Sequence, residues 1–580
     1  MTNRVAGRWY AKACLGLWLG IAPLSAQTPE IQIDSGLAVP MRDGVVLGAD
    51  LWRPRAPGPR PVLVYRTPYD RRDVPTLVRA AVARGYAVLL QDVRGRYRSE
   101  GTFEPYRHEA EDGYDTIEWA AHQPWSSGRV GTFGLSYPGA VQWLAARERP
   151  PALRAMVPAM TYSTPESFWY SGGVWDGSWL DWVWYNIAPD LRVRLDQPGP
   201  RTAELAASAA DTAMSRLRAL PLASLPDFKI IAPWYYEWMQ HPPRDPWWSW
   251  AELSGRYEGL GAGVLNLSGW FDEPYGPAGA VDNFAGLLAA GAGNRTGLII
   301  GPWTHGVAST RRTRAGDRDF GPDAAIDYDA VVLNWLDRFL KSNGDSASRP
   351  LRVFVMGANR WRYLANWPPD GQRPDTLRLA PAAAGSPAGQ LLRSSRRGGV
   401  SRFRSDPGRA LADPFNGQAG AHDYRSLVGR RDLLVFETGQ LVRPLEIIGS
   451  VVAELEVSAT VPDFDLWLQL YDVAPDGTAW NLSSFGSALV RASYRDGGPW
   501  RSVVAPGTRV VLRMSRMVTA NRFLPGHRIR VTLSGAFAPW FSRNLQTGAL
   551  EFDSTRTRAG TITVHHPASR LILPVVPVAQ

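Results

Sequence analysis

The segment Gly131-Thr132-Phe133-Gly134-Leu135-Ser136-Tyr137-Pro138-Gly139 could do chemistry, because its serine stands where an apolar strand pattern runs directly into a helical one. At such a turn the side chain is lifted out of the sheet. Flanking glycines let the turn close, and the helix N-terminus behind it offers N–H groups to an anion. The chemistry would be attack of the Ser136 hydroxyl on a carbonyl carbon. The usual Gly-x-Ser-x-Gly spacing departs here, since Pro138 takes the place of the second glycine and Gly139 follows it. Taken alone, the window also fits a plain structural turn.

A serine hydroxyl is too weakly acidic to attack unaided, so a base and an acid that orients the base must lie elsewhere. In α/β-hydrolases these follow the serine in the order acid, then histidine, each on a loop after a strand. The apolar run 263–267 leads into Ser268-Gly269-Trp270-Phe271-Asp272, and the run 297–300 leads into Gly301-Pro302-Trp303-Thr304-His305. Of the eight histidines, His305 alone lies between Asp272 and the C-terminal β region. His305 is therefore expected as the base and Asp272 as its orienting acid, with Glu273 the adjacent alternative. An oxyanion needs donors as well. The backbone N–H of Tyr137 is the default first one. The second should come from Arg66-Thr67-Pro68-Tyr69-Asp70, where the Tyr69 hydroxyl is a substitute for the His-Gly-Gly-Gly of many esterases.

Elements must hold these residues in place. Asp43-Gly44 marks an opening hairpin within 31–54. Strands are predicted at 61–65, 86–91, 129–133 and 153–157, alternating with helices at 77–83, 112–122 and 139–147. Such alternation predicts a parallel sheet covered on both faces. The rhythm stops over 161–258, which carries ten of the 25 tryptophans and is predicted to be a mostly helical cap. A helix at 327–340 closes the first domain, with Val331, Leu336, Phe339 and Leu340 as its buried face. A linker follows at 342–348. After Leu351, short alternating strands with turns such as Pro475-Asp476-Gly477 predict an all-β jelly-roll sandwich, interrupted by a loop-rich region around 383–425. The expected division is a leader at 1–26, hydrolase segments at 27–160 and 259–345 around the cap, and the sandwich at 346–580.

The 580 residues exceed a single core, and 45% apolar with 20% charged residues excludes the disordered and membrane classes. The net charge of +10 comes from scattered arginines and not from a basic stripe, which argues against nucleic acid. Arg4, Arg8 and Lys12 precede a short apolar stretch ending in Ser25-Ala26-Gln27, the pattern of a cleavable secretory signal. Export to the periplasm or medium is expected, without stable membrane insertion. Cys14, the single cysteine, lies inside that segment, so no disulfide or thiolate site is expected beyond it. Asp317, Asp319, Asp323, Asp327 and Asp329 match no calcium loop and are expected on a solvated loop and helix start. Asp463 and Asp465 are expected as turn residues. Neither metal nor cofactor is called for. The aromatic cap suggests a pocket for an apolar acyl or aryl group of a small ester or amide. Association into a homo-oligomer stays open.

The chain resembles the cocaine esterase and glutaryl-7-aminocephalosporanic acid acylase family, which is related to the X-Pro dipeptidyl-peptidases. The resemblance rests on Arg66-Thr67-Pro68-Tyr69-Asp70, on Gln91-Asp92-Val93-Arg94-Gly95-Arg96, on the Ser136 segment, and on the segments ending in Asp272 and His305. It continues through Arg352-Val353-Phe354-Val355-Met356-Gly357, Phe523-Leu524-Pro525-Gly526-His527 and Ser569-Arg570-Leu571-Ile572-Leu573-Pro574. It implies an α/β-hydrolase domain, a helical cap and a jelly roll. It also implies the triad Ser136, Asp272 and His305, with Tyr69 and Tyr137 at the oxyanion. The family's own Ser-Tyr-x-Gly elbow accounts for Pro138. Relatives acting on α-amino-acid esters carry acids where this chain has Pro274 and Tyr275, so a free-amine substrate is less expected. The expected activity is ester hydrolysis through an acyl-serine, with amide acylase second. X-Pro dipeptidyl-peptidase or α-amino-acid ester hydrolase activity is the alternative, as is a non-catalytic carbohydrate- or surface-binding role.

Overall fold

The computed structural model describes residues 30–578 except 210–218, 225–227, 342–349, 395–397, 536 and 539. The expected leader and linker therefore lie outside the described residues. The Asp43-Gly44 turn joins β1 (Ile31–Pro40) to β2 (Val46–Pro54), paired antiparallel from Ile31 opposite Pro54 to Pro40 opposite Val46. There follow β3 (Arg60–Thr67), β4 (Ala87–Asp92), β5 (Ser126–Leu135) and β6 (Leu153–Ala159), then β7 (Gly263–Phe271), β8 (Thr296–Thr304), β9 (Leu351–Val355) and β10 (Arg360–Tyr363). These ten strands form one sheet in the order β1-β2-β4-β3-β5-β6-β7-β8-β9-β10. Every pairing from β4 through β9 is parallel. All residues of β4 and of β7 are buried, as expected of central parallel strands with helices on both faces.

The helices of this layer are α1 (Thr76–Ala83), α2 (Glu109–Ala121), α3 (Tyr137–Arg147), α4 (Gly276–Ala289) and α5 (Tyr328–Leu340). Gln142 pins α3 to the sheet. Its side-chain oxygen accepts from Thr132 Oγ1 at 3.0 Å and from the Val157 N–H at 3.1 Å, and its amide donates to the Pro138 carbonyl at 2.8 Å. Asp327 caps α5 by accepting from the Ala330 N–H at 3.0 Å. The buried face of α5 is wider than expected: Tyr328, Val332, Leu333 and Trp335 join Leu336, Phe339 and Leu340, while Val331 is half-buried. Two of the other acids are ion-paired, Asp329 with Arg311 at 2.8 Å and Asp317 with His422 of the C-terminal part at 2.8 Å.

The cap is helical in short pieces, with a π turn, Val183–Ile187, between the helices Ser178–Trp182 and Ala188–Arg194. Its tryptophans stack on one another. Trp169 lies 4.4 Å from Trp248 and 5.4 Å from Trp238, centroid to centroid.

The C-terminal part is an all-β sandwich of twelve hydrogen-bonded strands built around Leu445–Ala459, which pairs with Val510–Phe523, Gly560–His566 and Arg570–Val576. Three expectations are corrected here. First, β9 and β10 extend the hydrolase sheet and do not start the sandwich; Leu351 pairs in parallel with Leu298, and four of the five residues of β9 are buried. Second, the region around 383–425 contains strands at Gly389–Leu392 and Gly399–Ser405. The second is an edge strand burying only Phe403 and Ser405, too few for an alternating apolar signal. Third, Asp463 and Asp465 are buried ion-pair partners of Arg501 and Arg491.

Arg491 also meets Glu551 at 2.6 Å inside the same core. Arg491→Leu would leave two buried carboxylates unpaired and should lower unfolding stability by about 3–5 kcal/mol, read by chemical denaturation.

Candidate active site

The strand β5 ends in a backbone conformation that few side chains tolerate. Ser136 has φ 65° and ψ −124°, for which strain on the order of 1–3 kcal/mol is usual. The turn is held by the Ser136 N–H donating to the Ala159 carbonyl at 3.0 Å. The Gly139 and Ala140 N–H groups each donate to the Ser136 carbonyl at 2.9 Å. A Cβ on Gly134 would lie 2.5 Å from the Pro138 Cβ, and one on Gly139 would lie 2.7 Å from the Ala159 carbonyl oxygen. Both glycines are thus required by close approach, and the spacing through Pro138 closes the turn. As the first residue of α3, Tyr137 has an N–H with no acceptor within the helix.

The side chains around this N–H are fixed from behind. The buried Tyr137 hydroxyl donates to Glu109 at 2.8 Å and accepts from the Tyr106 N–H at 3.0 Å, and Glu109 pairs with Arg66 at 2.7 Å. Tyr69 stands in front. Its hydroxyl accepts from the Trp182 indole N–H at 2.9 Å and faces the Ser136 side chain. An indole N–H can only donate, so it does not occupy the phenol proton of Tyr69, which stays available to an oxyanion. Burial raises the Tyr69 pKa against the opposing effects of the Trp182 indole, the neighbouring Ser136 hydroxyl and the charge of Arg96, so the proton stays on. The buried Arg96 ties both pieces together. Its guanidinium donates to the carbonyls of Pro68 at 2.9 Å, of Ile187 at 2.9 Å and of Asn186 at 3.2 Å. The last two belong to the π turn after Trp182.

Asp272 and His305 follow β7 and β8. His305 Nδ1 lies 2.5 Å from Asp272 Oδ1, which also accepts from the Glu273 N–H at 2.8 Å. Asp272 Oδ2 accepts from Ser268 Oγ at 2.7 Å. A Cβ on Gly276 would fall 2.0 Å from Asp272 Oδ2, so only glycine lets α4 start this close to the acid. Burial works against the charged imidazole, but the charge and hydrogen bond of Asp272, with the charge of Glu273, prevail and raise the His305 pKa above its ordinary value. Nδ1 is held, which leaves Nε2 for a substrate or for Ser136. Among the described residues no hydrogen bond joins His305 to Ser136, a separation common in free hydrolases.

The structure thus brings Ser136 to Tyr69 and Tyr137, and Asp272 (not Glu273) to His305. Sequence reasoning missed Asp176, an isolated acid in the tryptophan run. It lines a cleft with Glu273, His305, Phe485 and Trp540, so the cap and the sandwich both wall the site. Burial, and then the charge of Glu273, push the Asp176 pKa up to about 7. Glu273 is likewise raised, first by burial. Arg96 and Trp182 were also missed as parts of the site, because nothing in their spacing marks a contact across the cap.

Comparison with known proteins agrees with this architecture. Residues 43–307 match the X-Pro dipeptidyl-peptidase (S15 family) pattern, and residues 343–571 match the X-Pro dipeptidyl-peptidase C-terminal non-catalytic domain. The chain is 34% identical to a cocaine esterase of Rhodococcus over 94% of its own length and 98% of the relative's. An aminopeptidase from a marine sediment Thaumarchaeota archaeon superposes with a TM-score of 0.80 at 22% identity, over 98% of this chain and all of that one. An α-amino acid ester hydrolase does so with a TM-score of 0.79 at 23% identity, over 99% of each chain. With an α/β-hydrolase sheet carrying Ser136 at its elbow, a capping insertion and an all-β sandwich shared along nearly the whole length, the chain belongs to the cocaine esterase family and is a serine hydrolase of the carboxylesterase kind.

Proposed function

We propose that this chain hydrolyses carboxylic esters with an aromatic or apolar acyl group through an acyl–Ser136 intermediate. The observation that carries this reading is Ser136, held in its left-handed turn at the end of the sheet beside Tyr69, whose hydroxyl accepts from an indole and keeps its own proton to donate. His305 Nε2 takes the proton from Ser136 Oγ as the oxygen attacks the ester carbonyl, and Asp272 steadies the imidazolium. The tetrahedral oxyanion accepts from the Tyr137 N–H and the Tyr69 hydroxyl. Collapse breaks the ester C–O bond, and His305 returns the proton to the departing alkoxide. A water then repeats the sequence and releases the acid. Phe168, Trp179 and Trp182 crowd the space beside Tyr137 and Tyr69, which favours a flat apolar acyl group. The basic and apolar segment before Gln27 supports work outside the cytoplasm.

A second reading draws on the buried Asp176 and the half-buried Glu273, acids that line the cleft with His305 and would hold the ammonium of an α-amino-acid ester. Initial rates on a neutral aryl ester and on an Ala-Pro anilide separate the two. Fast ester with a silent anilide supports the first reading, and a fast anilide overturns it.

Ser136→Ala should abolish turnover of the aryl ester while thermal unfolding stays that of the parent; retained turnover would remove Ser136 from the mechanism. Tyr69→Phe should lower kcat by roughly 10²–10³-fold, the scale of one oxyanion donor, with little change in KM. The neutral imidazole is the base, so kcat/KM should fall as pH drops through the His305 pKa, along a limb lying above the ordinary histidine value. Asp272→Asn removes the charge that raises it and should move that limb to lower pH.

A further inference from the structure

Four consecutive residues of the sandwich, Gly417-Gln418-Ala419-Gly420, wall the cleft that His305 and Asp272 also line. Two glycines and an alanine give this loop little side chain to anchor it, so its place is set through its backbone. The Gly417 N–H donates to Asp413 Oδ2 at 2.6 Å, and the Gly420 carbonyl accepts from Asn481 Nδ2 at 2.9 Å. Between them, the Gln418 carbonyl accepts from His422 Nε2 at 3.1 Å. Asp413 and Asn481 belong to the sandwich, but His422 reaches out of it. Its Nδ1 lies 2.8 Å from Oδ2 of Asp317, in the turn of a short hairpin (Arg314–Ala315 with Arg318–Asp319) just downstream of His305. Backbone contacts bring the two segments together: the Asp317 N–H donates to the Ala421 carbonyl at 2.9 Å, and the Ala421 N–H to the Ala315 carbonyl at 3.1 Å. A Cβ on Gly420 would fall 2.3 Å from the Gly316 nitrogen. The His422 ring is 2% exposed and stacks on Phe415 at 4.4 Å, so it has little freedom to turn. Both of its partners are acceptors, and the two bonds are made together by the protonated ring, which makes each charge-assisted.

We infer that His422 is a positioning residue for the substrate cleft, tying the Gly417–Gly420 wall to Asp317 and so fixing how far that wall stands from His305. This rests on the esterase reading above. The tether touches no reacting atom. It orders a loop that meets the bound ester, and a loop ordered in advance lowers the cost of binding. Its loss therefore appears in KM, while the chemistry at Ser136 and His305 keeps its rate.

The test measures kcat and KM for phenyl benzoate, which carries an aromatic ring on each side of the ester, in the parent, His422→Ala, Asp317→Ala and Asp317→Asn. The Asp317 side chain is 58% exposed, so its variants are expected to fold even if loss of the buried His422 ring proves disruptive. Each alanine variant should raise KM about tenfold, the scale of one charge-assisted hydrogen bond, with kcat within about twofold of the parent. The double variant should be no worse than either single one, because both cut the same tether. Asp317→Asn still offers Nδ1 a hydrogen-bonding partner and should recover the KM of the parent. A merely structural role would lower the unfolding temperature and leave KM in place. With a parent that turns over, an unmoved KM in Asp317→Ala overturns the inference alone, as does a fall in kcat without a change in KM, which would place the effect on His305. A parent as silent as Ser136→Ala overturns the esterase reading and this inference with it.

Discussion

Ser136 occupies a backbone region that L-residues avoid, and much of the surrounding architecture exists to keep it there. The Ala159 carbonyl at the end of β6 fixes its N–H, the first turn of α3 fixes its carbonyl, and Gln142 fixes α3 against β5 and β6. Relaxing φ at this residue would move the hydroxyl, the Tyr137 N–H and the helix start together. Rigidity here is bought with close packing at Gly134 and Gly139, where even a methyl group has no room.

Around that turn, polar groups are held in small bonded sets. Arg66, Glu109 and Tyr137 form one; Ser268, Asp272 and His305 form another. Partnered in this way, buried charge fixes orientation, because rotating a side chain gives up a strong contact in a medium that does not replace it. The sandwich repeats the device with Arg491, Asp465 and Glu551, close to loops that reach the cleft. The electrostatics of the site and the stability of its walls therefore have one origin.

Much of this was legible from the chain alone. The alternation of apolar runs with helical periods gave the parallel sheet, since strands buried on both faces leave continuous Val and Leu runs. Asp272 and His305 could be named because each lies just past such a run, and the glycines around Ser136 because close approach leaves no alternative. What escaped notice depends on contacts between segments distant in sequence. Asp176 is one acid among tryptophans, and its place beside Glu273 is set by how the cap folds back. The strand 399–405 buries two side chains and so has no apolar rhythm, whereas β9 reads like any β strand until its parallel pairing with β8 is known. Trp182 was one of many tryptophans in an aromatic cap, and only the fold shows its indole N–H donating to the Tyr69 hydroxyl.

Arg96 has no place in the chemistry, yet it is wholly buried, its guanidinium between the rings of Tyr97 and Phe103 at 5.1 Å from each centroid. It grips the Tyr69 loop with one edge and the π turn of the cap with the other. The two are interlocked. Moving the cap outward would take the Ile187 and Asn186 carbonyls from the guanidinium and the Trp182 indole from Tyr69 together. The seat of the roof and the aim of the Tyr69 hydroxyl are thus set by one cation, so that the lodging of the cap and the readiness of the oxyanion loop are a single variable.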